Sequence, residues 1–161
     1  MNVRRASAED ARAVAQLLHD FNTEYEDETP GVDVMADRMA DLLPTHDFAV
    51  FLAGDGPDGF ALVRFRASYW LPAEEAYLGE LYVVPQLRGH GIGRALLTAA
   101  IDLARERACT HIELNTSVDD AAARRLYEGM GFTNREGGPD GPSMLYYERG
   151  LRDSPAGQSG A

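Results

Sequence analysis

The chain is expected to fold as an α/β protein, an α+β mixed sheet with elements in the order β-α-α-β-β-β-α-β-α-β-β. Three observations carry that expectation. Short apolar runs alternate with stretches whose apolar residues recur every three or four positions. Clusters of Gly, Pro and Asp punctuate them. A glycine-rich turn, Gly89-His90-Gly91-Ile92-Gly93, joins an apolar extended run to a strongly periodic one, as a parallel crossover requires.

Val3 to Ala6 is a short strand, and Ser7 with Asp10 three residues on resembles a capping box. Val14, Leu17, Leu18 and Phe21 then fall at helical spacing, predicting a helix from 8 to about 21. Asn22 to Gly31 is a polar, acidic connection, and Val32 to Leu43 a second amphipathic helix, with Pro44 at its end. Phe48 to Ala53 and Phe60 to Tyr69 form a hairpin across the turn 54–59. Trp70 to Glu75 lead to a strand from Ala76 to Val84, which Pro85 ends. After the glycines a helix to about Arg107 buries Ile92, Leu96, Ala99, Ala100 and Leu103. His111 to Thr116 is a strand. Asp119 or Asp120 caps a short helix that ends near Met130 with Gly131 as its C′ residue. Phe132 opens a strand, 137–142 is a turn, and Ser143 to Glu148 is the last strand. Residues 1–151 read as a single domain, and the Ser/Gly/Pro-rich tail 152–161 as disordered.

Composition narrows the function. A net charge of −11 argues against nucleic acid or an anionic membrane surface as partner and is compatible with a cationic substrate. The single cysteine, Cys109, excludes an intramolecular disulfide and a cysteine-only metal site. His19, His46, His90 and His111 show no metal-ligand spacing, so no metal is expected. No secretory h-region follows Met1, and no run approaches about 20 apolar residues, so a cytoplasmic location is the expectation.

The glycine turn is the strongest chemical signal. Its glycines let a ligand approach the backbone, and the first amides of the following helix have no partner within it. With Arg88 and Arg94 beside them they suit a phosphate or pyrophosphate. Gly93-Arg94-Ala95 is not the Gly-Lys-Ser/Thr of a P-loop. Neither glycine frame fits the dinucleotide fingerprint, since the third position is Arg94 or Leu96. An oxidoreductase is therefore disfavoured.

Gln86-x-x-Gly89-x-Gly91 resembles the acyl-CoA motif Gln/Arg-x-x-Gly-x-Gly/Ala of the GNAT superfamily of N-acetyltransferases. Leu126-Tyr127-Glu128-x-x-Gly131-Phe132 resembles a second segment of that family, and the element order is similar over about residues 3 to 149. The resemblance implies a GNAT-like fold with a splayed central strand pair, and acetyl-CoA as co-substrate. It implies that Gln86, Leu87, Arg88, Gly89, His90, Gly91, Ile92, Gly93 and Arg94 hold the pyrophosphate. Leu81, Tyr82, Val83 and Val84 would pair with the pantetheine arm. Asp120 stands where the family often has Asn, and Asn115 near the end of the preceding strand is an alternative cofactor contact.

Transfer to an amine needs a proton acceptor, because a lysine-like amine has a pKa near ~10.4. Glu80, on the same face as Tyr82 by alternation, is the candidate base; a solvated strand carboxylate is the competing reading. Tyr127 matches the family tyrosine that protonates the leaving thiolate; a packing aromatic is its competing reading. Phe21, Asn22, Tyr25 and Glu26, with Glu24 and Asp27 among them, combine aromatic faces with carboxylates and suit a cationic small-molecule or peptide amine. The enzyme expected is an acetyl-CoA-dependent N-acetyltransferase acting by direct transfer. The alternative is an acyl-CoA-binding sensor or interaction module of the same fold. Dimers are frequent in families of this kind, so a homodimer is compatible.

Overall fold

A computed structural model describes residues 1–55 and 57–152. Residues 153–161, most of the segment expected to be disordered, lie outside the described residues, as does Gly56 in the hairpin turn. The chain divides into two compact units, Met1–Leu114 and Asn115–Ala161.

The first unit holds strands β1 (Val3–Arg5), β2 (Phe48–Ala53), β3 (Gly59–Ala67), β4 (Glu74–Val83) and β5 (Ile112–Glu113), with helices α1 (Ala11–Glu24), α2 (Val32–Leu42) and α3 (Ile92–Glu106). The strands form one sheet in the order β1-β2-β3-β4-β5. The first three pairings are antiparallel, and β4 pairs with β5 in parallel, the chain crossing between them through α3. The expected mixed sheet is thus present.

Each face of the sheet has its own cover. Phe48, Val50, Leu52, Phe60, Leu62 and Tyr82 form one core with Val14, Leu17, Met35 and Met39 of α1 and α2. The opposite positions, among them Ala61, Val63, Ala76 and Leu78, are buried on the α3 side with Ile92, Leu96, Leu97, Ala100 and Ala104. The stripe of α3 is therefore rotated from expectation, with Ala99 and Leu103 only half-buried. Its i, i+4 row from Ile92 to Ala104 supplies the ridge.

Three first-unit boundaries differ instructively from the sequence pattern. The capping box at Ser7 forms, its N–H donating to Asp10 at 2.8 Å, but it opens a 3-10 turn, Ala8–Asp10, before α1. Helix α1 runs on to Glu24, so Asn22 is helical and its side-chain amide donates to the Leu18 carbonyl at 2.7 Å. Strand β5 has two residues in place of the six expected at 111–116.

In the second unit, α4 (Ala121–Glu128) begins as expected on Asp120, whose carboxylate accepts from the Ala123 N–H at 3.0 Å. It ends in a Schellman motif. Gly131 adopts φ 91°, its N–H donates to the Glu128 carbonyl, and the Phe132 N–H donates to the Tyr127 carbonyl. The Tyr127 and Phe132 rings make the accompanying apolar contact, 5.9 Å between centroids.

The two closing strands do not form a ladder among the described residues. One bridge, Arg135↔Ser143, stands where a hairpin was expected. The reason is local. The Phe132 N–H is committed to the helix end, and the Arg135 N–H turns back to Thr133 Oγ1 at 3.0 Å. Pro139 and Pro142 supply no donor to the connection.

Candidate active site

Strand β4 carries the candidate base and leads into the glycine turn. Its pairing with β3 shifts register between Leu62 and Val63, leaving Gly79 as an extra residue. Glu80 then pairs with Leu62 and Tyr82 with Phe60, both on the face covered by α1 and α2. The expected juxtaposition of Glu80 and Tyr82 on one face therefore holds. Glu80 is half-buried. Burial pushes its carboxyl above the usual carboxylate range, and the positive charge of Arg64 pulls the other way.

The parallel pairing of β4 with β5 covers only Ala76↔Ile112 and Tyr77↔Glu113. Beyond Tyr77 no described strand pairs with that edge of β4. Successive N–H groups of a strand point to opposite edges. The Val84 N–H is spent toward β3, on the Asp58 carbonyl at 3.0 Å. The Val83 N–H, and by the same alternation that of Leu81, faces the unpaired edge.

Past Val84 the chain makes a 3-10 turn, Pro85–Leu87, and enters α3 through Gly91, its N-cap. Gly89 and Gly91 have φ of 81° and 85°, a region that strongly favours glycine. A side chain added at either would meet no protein atom within 4 Å. No side chain caps α3, and its first helical bond is Ala95 N–H to the Gly91 carbonyl at 3.0 Å. The amides of Ile92, Gly93 and Arg94 thus precede the helical ladder and present their hydrogens at its positive end. Gly93 is already inside the first turn of α3. Gln86 and Arg94 are exposed, and Leu87 is half-buried. His90 folds back, its Nδ1 donating to the carbonyls of Arg88 at 2.9 Å and Leu87 at 3.2 Å, which braces the turn.

Arg88 has a different neighbour from the one its place in the turn suggests. Its two terminal nitrogens bind both oxygens of Glu24 at 2.7 Å, and its Nε donates to the Val83 carbonyl at 2.9 Å. The guanidinium lies 5.5 Å from the Tyr82 ring centre. Arg88 holds the Glu24 carboxyl below its usual range, with a smaller contribution from the Tyr82 hydroxyl. The end of α1 is in this way tied to the glycine turn. Phe21 packs on Tyr82 at 5.2 Å and on Tyr25 at 5.3 Å, while Tyr25 stays 57% exposed. Glu26 is exposed with φ 60°. Of the expected acceptor residues, the structure packs Phe21 on Tyr82 and Tyr25 on Phe21, and gives Asn22 a helix-internal bond.

At the opposite end of β4, the Tyr69 and Trp70 rings meet at a tilt, 5.3 Å between centroids, and border an open cavity of about 670 Å³ with Arg66, His111 and Glu113. His46, Asp47 and Glu74 form a group of metal-type side chains, but Arg107 binds Glu74 at 2.7 Å and the His46 carbonyl at 2.6 Å. Cys109 is a free, half-buried thiol raised by burial. Tyr127 on α4, its cap Asp120, and Asn115 belong to the second unit.

Comparison with known proteins agrees with this arrangement. The model of the Acetyltransferase (GNAT) family matches residues 12–132. The chain belongs to the GNAT family of acetyltransferases. As a GNAT protein it is an N-acetyltransferase. It is 34% identical over 140 residues to an aminoglycoside N(6′)-acetyltransferase type 1 of Stenotrophomonas maltophilia, spanning 83% of this chain and 87% of the relative. It is 41% identical over 87 residues to a mycothiol acetyltransferase of Beutenbergia cavernae, covering 52% of this chain and 28% of that longer protein. A crystal structure of a protein from Arthrobacter sp. FB24, assigned as an acetyltransferase, superposes with a TM-score of 0.87 at 49% identity, over 94% of this chain and 96% of the other.

Two residues of the site escaped the sequence pattern. Glu24 was legible only as one acid of a loop, yet it is the partner of Arg88. Arg64 shares the Phe60-Leu62 face of β3 by strict alternation, a signal the sequence does contain.

Proposed function

We propose that the chain moves an acetyl group from acetyl-CoA to a primary amine of a small molecule or peptide, directly and without an acyl-enzyme. The unpaired edge of β4 running into an uncapped helix start is the observation that carries this reading. The open surface over Gly89 and Gly91 and the amides opening α3 fit a pyrophosphate. The Leu81 and Val83 N–H groups fit the amide carbonyls of a pantetheine arm, as in strand addition.

Each chemical requirement then has a residue. Glu80 takes the proton that the ammonium must lose, directly or through water, and burial makes it a stronger base than an ordinary glutamate. The Val83 N–H donates to the oxyanion as the amine nitrogen bonds to the thioester carbon. Tyr127 gives its hydroxyl proton to the sulfur as the carbon–sulfur bond breaks, and the second proton, lost by the nitrogen as it becomes an amide, reprotonates the phenolate through solvent. Asp120 is occupied in capping α4, so its part is to hold the helix that carries Tyr127. Phe21, Tyr25 and Glu26 offer aromatic faces and negative charge to the ammonium. The aminoglycoside and mycothiol acetyltransferases among the relatives support a small-molecule amine.

Release of free thiol from acetyl-CoA, followed over polyamines, aminoglycosides, amino acids and peptides, tests the proposal. Turnover with at least one amine is expected, together with a rise in melting temperature with acetyl-CoA and none with NADH. Stabilisation by acetyl-CoA without thiol release from any amine would favour the sensor reading.

A further inference from the structure

Strand β3 places two arginines, Arg64 and Arg66, on the face that carries Glu80. Their surroundings differ. Arg66 is held by two carboxylates, Glu75 at 2.9 Å and Glu113 at 2.6 Å. Arg64 is exposed and, among the described residues, its side chain makes no ion pair or hydrogen bond; its guanidinium lies over the Tyr77 ring, 5.9 Å from the centroid. Arg4, Arg88 and Arg107 of the same unit each bind a carboxylate.

The position of Arg64 is as informative as its lack of a partner. Its Nε lies 3.8 Å from where a Cβ on Gly79 would stand, so the side chain lies along the bulge that precedes Glu80. The Glu80 carboxylate feels its charge but is not salt-bridged to it. A direct pair would hold Glu80 as a weak base. Kept apart, the two leave a cation and an anion side by side on one face, each with capacity for a ligand of opposite charge. A guanidinium over an aromatic ring offers a planar fork of donors that matches a carboxylate.

We infer that the acceptor is an amine that also carries a carboxylate, its ammonium directed to Glu80 and its carboxylate to Arg64. This inference rests on the transferase reading and narrows its substrate to amino-acid-like molecules. A polycation such as an aminoglycoside would place a positive group against Arg64 and meet repulsion there. Arg64 is then a specificity-determining residue.

The test compares free L-amino acids with their α-amides and with the corresponding decarboxylated amines, using acetyl-CoA and thiol release, and includes kanamycin as a polycation. For the best acceptor, kcat/KM should exceed that of its amide by about 10- to 100-fold, the range expected for a hydrogen-bonded charged pair. In Arg64→Gln that ratio should fall to near unity, and Arg64→Lys should restore part of it through KM. Equal use of acid and amide, preference for kanamycin, absence of turnover with every carboxylate-bearing amine, or an Arg64→Gln variant that keeps the ratio would each overturn the inference. Acetyl-CoA binding, measured in parallel by thermal shift, separates the two readings. Binding with indiscriminate turnover rejects the role of Arg64 alone, whereas neither binding nor turnover rejects the transferase reading as well.

Discussion

Removing the Glu24–Arg88 pair should separate the contribution of a single ion pair from that of the turn it braces. The two bonds are parallel and 2.7 Å long, the favourable fork geometry. Solvent reaches both side chains, 43% of Arg88 and 29% of Glu24, so the pair belongs near the upper end of the exposed range, about 0.5–1 kcal/mol. Arg88 loses more than the pair when it is replaced. Its place over Tyr82 adds about 0.5 kcal/mol, and its bond to the Val83 carbonyl about 1 kcal/mol. Urea unfolding without ligand should therefore show Arg88→Gln to be roughly 2 kcal/mol less stable than the parent, with Glu24→Gln at roughly 1 kcal/mol and a cycle coupling of about 0.5–1 kcal/mol. The pH dependence has a definite sign. Arg88 lowers the folded pKa of Glu24, so the stabilisation is present above the ordinary glutamate value of about 4.3 and is lost as the pH falls through the lower folded value. Coupling below about 0.2 kcal/mol at pH 7 would refute the argument, as would coupling that still grows on acidification.

Three further outcomes are expected. Glu80→Gln should lower kcat/KM by about 100-fold or more and abolish its acidic limb, which in the parent should lie above the ordinary glutamate range because burial raises that carboxyl; an unaltered pH profile would make Glu80 structural. Tyr127→Phe should reduce kcat by about 10- to 100-fold while calorimetric affinity for coenzyme A stays within a factor of about two; equal turnover by the variant across amines would remove the acid role. Gly91→Ala must take an alanine to φ 85° and should cost about 1 kcal/mol in urea unfolding, with a larger loss of acetyl-CoA affinity because its methyl stands over the proposed pyrophosphate site. A loss of affinity no greater than the loss of stability would count against that site.

Local rules made most of the fold legible. The α1 stripe, the Asp120 cap and the Gly131 helix end each depend on a few adjacent residues, and each was readable; the stripes of α2 and α3 were readable as helical but in a different rotation, with Val34 exposed and Ala99 and Leu103 only half-buried. The glycine turn was readable for the same reason. What the sequence left hidden depends on competition between groups for the same partner, whether distant in the chain or close by. Nothing near Arg88 announces Glu24, which is 64 positions away. Phe132 has the look of a strand residue, and only the Schellman bond to Tyr127 shows why its N–H cannot start a ladder. The length of β5 was hidden too, because a run such as His111 to Thr116 says what can pair and not where the neighbouring strand turns away.

Gly79 ties these cases to the chemistry. In an unbroken strand, Glu80 and Tyr82 would share a face with Ala76 and Leu78, beneath α3. They lie instead on the face of α1 and α2, because the extra residue rephases the alternation. The backbone shows the same change. The Ala76 N–H donates to His111 on the β5 side, yet the Val84 N–H donates to Asp58 on the β3 side, although their positions differ by an even number. A bulge also bends its strand. The parallel pairing with β5 ends at Tyr77, two residues before Gly79. One inserted glycine thus accounts for the face of the candidate base, the side to which the Leu81 and Val83 amides point, and the opening of the edge along which an acyl donor would lie.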